Sequence, residues 1–247
     1  MEVLELVDAA RGRPLVTHVY APAGDEPAPL VVFGHGLYGH PQKFTRLFGA
    51  LAGAGYLVAA PTFPYTNELA PGGVVRDDVR EQPRDMTFVL DAMLDGAVAR
   101  AVDATRIAFA GLSLGAATVL AAVYARSVRD ARVRAAVAMA GRQHALGGGY
   151  EFGGAPLFVL HGARDHIVPY AEALDVYEQA RPPKAMLTLH VDGHASPFED
   201  EPSAVDTIVD AATVAFLDLA LGRGDRAQAS VRLDAAAPSA TLVREGI

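Results

Sequence analysis

The chain has no cysteine and no tryptophan among its 247 residues. Without cysteine there can be no disulfide, no thiolate nucleophile and no thiolate metal site. The redox compartment is therefore left open. No apolar run approaches the roughly 20 residues needed to span a bilayer, although 51% of residues are hydrophobic. Positive charge is also scarce. The formal net charge of −8 and the scattering of the arginines argue against a nucleic-acid partner. There is no H-E-x-x-H and no histidine cluster with ligand spacing, so no metal or other cofactor is expected. Met1-Glu2-Val3-Leu4-Glu5-Leu6 lacks the basic and apolar regions of a signal peptide. The expectation is a cytoplasmic chain, or a secreted one whose signal has been removed. Oligomeric state is not readable.

Short apolar runs alternate with helical periodicity. Leu30–Phe33, Tyr56–Ala60, Arg106–Ala110, Ala135–Ala140, Pro156–Leu160 and Met186–Val191 read as buried strands. Between them, Phe44–Ala54, Asp77–Leu94, Ala116–Ala125, Tyr170–Gln179 and Ala204–Leu221 carry apolar residues at helical spacing. Leu4–Val7 and Leu15–Tyr20 read as an antiparallel hairpin leading in. This alternation predicts an α/β fold: a mostly parallel, doubly wound sheet with helices on both faces. The expected division is a catalytic domain over 1–221 and an appendage of that domain over 222–247. No repeat or linker interrupts it. Arg223-Gly224-Asp225 spells an adhesion tripeptide, read here as chance.

Gly111-Leu112-Ser113-Leu114-Gly115 stands between a strand and an alanine-rich helix. G-x-S-x-G in that setting reads as a nucleophile elbow. The turn is tight enough to strain the central serine, and the flanking glycines leave room for the chain to fold back. The hydroxyl then stands at a helix N-terminus, where N–H groups favour negative charge. A bare match arises readily by chance among 24 glycines. Its flanking strand and helix distinguish this one.

A serine nucleophile needs a base, and the base needs an orienting acid. Both must come from loops at the carboxyl ends of strands, where the elbow lies. Asp165, in His161-Gly-Ala-Arg-Asp165-His-Ile-Val-Pro169, follows the strand ending at Leu160. His194 follows the strand ending at Val191. The order Ser113, Asp165, His194 is the expected one for such a triad. The stretch 135–150 contains no Asp or Glu, which removes the other common site for the acid. Glu172 falls within a helix. His190 falls within a strand, His161 ends one and packs under the site, and His166 points away if Asp165 points in. His18, His40 and His144 have no acid-bearing context.

An oxyanion needs preorganised donors. The candidates are the backbone N–H of Leu114 and, from the loop Gly34-His35-Gly36-Leu37-Tyr38-Gly39, that of Leu37, with Tyr38 second. That loop has neither a following Lys-Ser/Thr nor G-x-G-x-x-G spacing, so it is not read as a phosphate cradle. Tyr38, Phe63, Tyr65 and Phe198 are candidate substrate-binding wall residues. The stretch between the strands at Ala135 and Pro156 is too short for a large lid, so an open cleft is expected.

His35-Gly36, Gly111 to Gly115, Asp165 and His194 together resemble the α/β-hydrolase superfamily. Asp8-Ala-Ala-Arg-Gly-Arg-Pro-Leu15 followed by Leu30 to Gly36 is similar to its dienelactone-hydrolase-like and platelet-activating-factor-acetylhydrolase-like esterases. The likeness covers about residues 5–221. It implies serine-esterase chemistry without a cofactor, acting on a small-molecule or polymer ester. Two departures matter. True dienelactone hydrolases use a cysteine nucleophile, whereas this chain has Ser113, which argues against dienelactone itself. Cutinase-like polyester hydrolases usually carry a tryptophan near the site and a disulfide, both absent here. The expected function is a serine carboxylester hydrolase for short- to medium-chain esters. Polyester hydrolysis, thioester hydrolysis or acyl transfer are alternatives, and a non-catalytic binding protein on the same fold is the reading from another class.

Overall fold

The computed structural model describes residues 1–146, 148–235 and 239–247. β1 (Glu2–Asp8) and β2 (Arg13–Tyr20) form the antiparallel hairpin, with Asp8 opposite Arg13. β3 (Ala28–Gly34), β4 (Leu57–Pro61), β5 (Val102–Leu112), β6 (Ala135–Met139), β7 (Leu157–Arg164) and β8 (Lys184–Asp192) run parallel. Among the described residues the sheet has nine strands in the order β1-β2-β4-β3-β5-β6-β7-β8-β9, β9 being Ala240–Glu245. β2 and β9 pair antiparallel to the central strands. From β3 the chain moves to β4 on one side and later to β5 on the other. The carboxyl ends of β3 and β5 therefore flank a topological switch point, where open α/β sheets form clefts.

Alternation along each strand separates two cores. Val31 and Phe33 on β3, with Ala108 and Ala110 on β5, pack against α1 (Thr45–Gly53), α5 (Asp206–Ala220) and α6 (Arg226–Asp234). Leu30 and Val32, with Ile107 and Phe109, pack against α2 (Gln82–Leu94), α3 (Leu114–Tyr124) and α4 (Tyr170–Gln179). Both faces are covered, so the strands read as continuous apolar runs. Every residue of α3 is buried. It is apolar all round because sheet, α2 and loop surround it. The loop layer is Val79 and Leu146, which join Leu114 and Ala121 in a third cluster.

Three elements differ from the expectation. Asp77–Leu94 is not one helix: Arg76–Arg80 is a 3-10 turn, and α2 starts afresh at Gln82. Pro83 lacks an N–H and cannot continue a preceding helix, but it is well suited to the first turn of a new one. Thr45 rather than Phe44 begins α1, after a 3-10 turn over Pro41–Phe44. The third is β9, which the strand alternation did not announce and which extends the sheet along β8, where Met186–Val191 lies. The tail thus contributes α6 and β9, while 236–238 lie outside the described residues. Asp225 accepts hydrogen bonds from the N–H groups of Ala227 and Gln228 and caps α6. Arg223 stacks on Tyr56 at 4.4 Å and donates to the Ala54 carbonyl. The tripeptide is occupied by these local bonds. Among the described residues no helix is long and apolar enough to cross a membrane.

The elbow is where backbone meets backbone. A Cβ on Gly111 would lie 2.7 Å from the Gly115 carbonyl carbon and oxygen and 2.9 Å from Gly34 O. One on Gly115 would overlap the Gly34 carbonyl group and come 2.7 Å from His35 O. No flexible side chain can yield there. Gly49, inside α1, has nothing within 4 Å of such an atom. Gly115→Ala is therefore expected to destabilise by about 3 kcal/mol or more. Gly49→Ala is expected to stabilise by roughly 0.5–1 kcal/mol. Urea unfolding of the two variants checks both signs.

Candidate active site

β5 ends at Leu112 and α3 begins at Leu114, leaving Ser113 alone in the turn at φ 55, ψ −112. That region is strained for any side chain. The Ser113 N–H donates to Met139 O at 2.8 Å, which anchors the turn to β6. Among the described residues, two non-glycine residues besides Ser113 have positive φ: Tyr38 (62) and Ala140 (46). They follow β3 and β6, so the strain is concentrated at one end of the sheet.

The structure brings Ser113, His194 and Asp165 into a single hydrogen-bonded line. His194 Nε2 is 2.7 Å from Ser113 Oγ, and His194 Nδ1 is 2.6 Å from Asp165 Oδ2. The Asp165 side chain is fully buried, while that of His194 is 14% exposed. Asp165 Oδ1 accepts from the backbone N–H groups of Ile167 (2.8 Å) and Val168 (2.9 Å). A carboxylate can only accept, so Nδ1 carries the imidazole proton and Nε2 offers its lone pair to the serine hydroxyl. Such an arrangement can raise the nucleophilicity of a hydroxyl. His161, within β7 and fully buried, donates from Nε2 to Val168 O at 2.9 Å and lies 3.3 Å from Asp165 Oδ2. It packs under the acid. His166 and His190 are exposed.

The loop after β3 closes against the elbow. A Cβ on Gly36 would be 3.3 Å from Ser113 Cβ. Gly39 N–H donates to Gly36 O at 2.9 Å, making a tight turn through Leu37 and Tyr38. Tyr38 N–H is committed to Thr66 O at 2.7 Å, so Tyr38 is not a free donor. Leu37 N–H has no such partner among the described residues, and Leu114 N–H belongs to the first turn of α3, where N–H groups lack intrahelical acceptors. His35 holds this loop: its Nδ1 donates to Gly36 O at 2.7 Å, and its Nε2 accepts the Phe63 N–H at 2.9 Å.

The cleft beside Ser113 is narrow, about 70 Å³, and is lined by Leu37, Leu114, Ala117, Arg76, Arg142 and His144, with Ile167 and Val168 at one side. The expected walls are corrected accordingly. Phe63 and Phe198 are fully buried in the two cores and have no surface to offer a substrate. Phe63 instead packs on His35, ring centroids 4.9 Å apart. Tyr65 stacks with Arg13, 5.4 Å from its ring centroid, away from the cleft lining. Tyr38 is exposed on the adjacent turn. Arg76 and Arg142 are absent from the sequence expectation, and His144 is set aside there for want of an acid. Arg142 and His144 both follow β6. Their position at a strand's carboxyl end was the available signal.

This cleft is electropositive in a protein of net charge −8. Burial, followed by Arg142 and Arg76, pushes the His144 imidazole below its ordinary range, with Glu172 opposing and Arg80 adding a little. Glu172 is 3.6 Å from Arg142. Wider hollows lie elsewhere. One of about 480 Å³ is lined by Asp8, Arg11, Arg84 and Asp130 among others, with no histidine. Among the described residues no group of three or more potential ligands is placed to hold a metal ion.

Residues 15–206 match the model of a family described as the dienelactone hydrolase family. No curated protein matches the chain.

His18, His35, His144 and His161 are all pushed down by burial, His35 to about 4 from an ordinary 6.5. Unfolded imidazoles take up protons near pH 6.5 while the folded ones resist, so unfolding binds protons on the acid side. The stability these groups contribute is complete above about pH 6.5 and is lost as pH falls, for His35 down to about pH 4. His35 alone accounts for up to roughly 3 kcal/mol over that interval. Urea midpoints at pH 7.5 and 5 should therefore diverge, and His35→Gln should narrow the gap. An equal gap in both proteins would remove His35 from the account.

Proposed function

The chain belongs to the dienelactone hydrolase family, in the α/β-hydrolase superfamily, and is a hydrolase of that type; from this premise we propose that it is a serine carboxylester hydrolase. The single observation that carries the reading is the continuous line Ser113 Oγ–His194 Nε2, His194 Nδ1–Asp165 Oδ2, at 2.7 and 2.6 Å. In this reading His194 takes the Ser113 proton as the oxygen attacks an ester carbonyl. Asp165 holds the imidazole tautomer and stabilises the imidazolium. The N–H groups of Leu37 and Leu114 bind the oxyanion, in a site where they need no reorganisation. His194 returns the proton to the departing alcohol. Water then repeats the cycle on the acyl-enzyme, releasing the acid and free Ser113.

The narrow cleft favours short acyl groups. A second feature bears on the substrate. Arg76 and Arg142 come from separate loops to the same cleft as Ser113. Guanidinium groups recognise carboxylates, often with two parallel hydrogen bonds. The reading is thus refined to short esters bearing a negative charge.

Wild type should hydrolyse p-nitrophenyl acetate and butyrate and react with a fluorophosphonate probe. Ser113→Ala should lose labelling and about six orders of magnitude in kcat. A folded, unlabelled and inactive wild type would overturn the esterase reading and favour a binding protein.

The charged-substrate refinement has its own check. The p-nitrophenyl monoester of succinic acid should surpass the butyrate ester in kcat/KM, and added salt should shrink the advantage. Arg142→Gln or Arg76→Gln should cut that ratio by about 10- to 100-fold, the range for a hydrogen bond to a charged group. Unchanged ratios in both variants would leave the charge preference unsupported.

A further inference from the structure

Three fully buried polar side chains connect the two segments that carry the proposed oxyanion donors. Gln82, Thr66 and Thr118 each have 0% exposure. Gln82 Nε2 donates to Thr66 Oγ1 at 2.8 Å. The Thr118 hydroxyl, one turn into α3, donates to Gln82 Oε1 at 2.6 Å and is shared with Leu114 O at 3.0 Å. Thr66 O accepts the Tyr38 N–H at 2.7 Å, which holds the turn carrying Leu37. One carboxamide therefore bonds the helix behind Ser113 directly and reaches the loop facing it through Thr66. Buried polar groups of this kind are costly unless paired, and in an apolar setting they specify one arrangement.

The carboxamide is itself held. Gln82 opens α2, and Asp85, also fully buried, receives Arg13 Nε at 2.8 Å and Nη2 at 2.6 Å. The other face of that guanidinium takes both oxygens of Asp78, at 2.7 and 2.8 Å. Arg13, on β2, thus fixes the 3-10 turn before Gln82 and the helix after it. Asn67, one residue beyond Thr66, donates to Phe63 O at 2.7 Å and accepts the Leu69 N–H at 2.8 Å. Every partner of Gln82 is anchored from a second side.

We propose that Gln82 is a positioning residue that holds the Leu37 and Leu114 N–H donors at the separation an oxyanion requires, through Thr66 and Tyr38 on one side and Thr118 on the other. Gln82 touches no reacting atom. Its effect reaches the reaction only through the relative placement of two backbone segments. A displacement of about 1 Å from a distant change can lower a rate by about 10²-fold. Loss of a single oxyanion donor costs about 10²- to 10³-fold in kcat.

The inference rests on the esterase reading, and the experiment separates the two. Wild type and variants are titrated with a fluorophosphonate so that kcat is expressed per reactive serine. The affinity for an alkyl trifluoromethyl ketone, which forms a tetrahedral oxyanion on the serine, is measured alongside KM. Gln82→Met removes both hydrogen bonds at similar volume. Thr118→Val and Thr66→Val each remove one at constant shape, and they carry the test if Gln82→Met does not fold. Thr118→Ser keeps the hydroxyl. Gln82→Met is expected to lower kcat by about 10- to 100-fold and weaken the ketone in proportion, with KM changed less than about threefold. The valine variants should do the same to a smaller extent, and Thr118→Ser should match wild type. Variants that titrate fully and keep both kcat and ketone affinity within about twofold would overturn the proposal. So would a fall in kcat with ketone affinity intact. A folded wild type that does not react with the fluorophosphonate would instead overturn the esterase reading.

Discussion

The approach of α3 to β3 is the contact on which the site depends. At Gly111 and Gly115 there is no space for a side-chain carbon, at Gly34 one would be crowded at 3.3 Å, and the first turn of the helix rests on the strand backbone itself. Because the two backbones meet there, the loop leaving β3 is brought over Ser113, and Gly36 lies against its Cβ. A helix held away by even a methyl group would separate Leu37 from Leu114. The serine would then lose the loop that faces it. The sheet order makes this contact available, since β3 and β5 are neighbours in space though far apart in sequence.

Strain and polar order are distributed around that contact. Ser113, Tyr38 and Ala140 hold positive φ at the carboxyl ends of three adjacent strands. Each is tied by a backbone hydrogen bond of 2.7–2.8 Å to a neighbouring segment. Backbone geometry of this kind persists only where the surroundings over-determine it. The buried set Arg13, Asp85, Gln82, Thr66 and Thr118, together with half-buried Asp78, supplies polar cross-links between the hairpin, α2 and α3. Charge follows a separate logic. A protein with excess negative charge gathers Arg76 and Arg142 at the cleft beside Ser113. Arg76 is exposed and Arg142 half-exposed, 3.6 Å from Glu172, so both charges stand at the mouth of the cleft.

The elbow and the strand alternation were legible because each is a local pattern. Period-two and helical spacing report burial directly. A glycine two residues either side of a serine reports a turn with no room. Less local features were misread for physical reasons. Phe63 and Phe198 stand in loops next to the site, but their rings turn into the cores, and adjacency in sequence does not specify direction. β9 followed an alanine- and proline-bearing stretch and could be recognised only through its pairing with β8. Pro83 marked a break in Asp77–Leu94 that apolar periodicity alone passed over.

What the sequence by itself determined is the fold class, the strand-to-helix turn holding Ser113, and the loops from which an acid and a base could come. These follow from short-range sterics and from the need to bury alternating apolar residues. Only the tertiary structure decided which side chains meet. Arg76, Arg142 and His144 reach one cleft from two loops, and Gln82 meets Thr66 and Thr118 from three separate elements. Those encounters depend on sheet order, on the crossing of helices over both faces and on the depth at which glycine lets α3 settle. They are set by packing over the whole chain, and no local pattern encodes them.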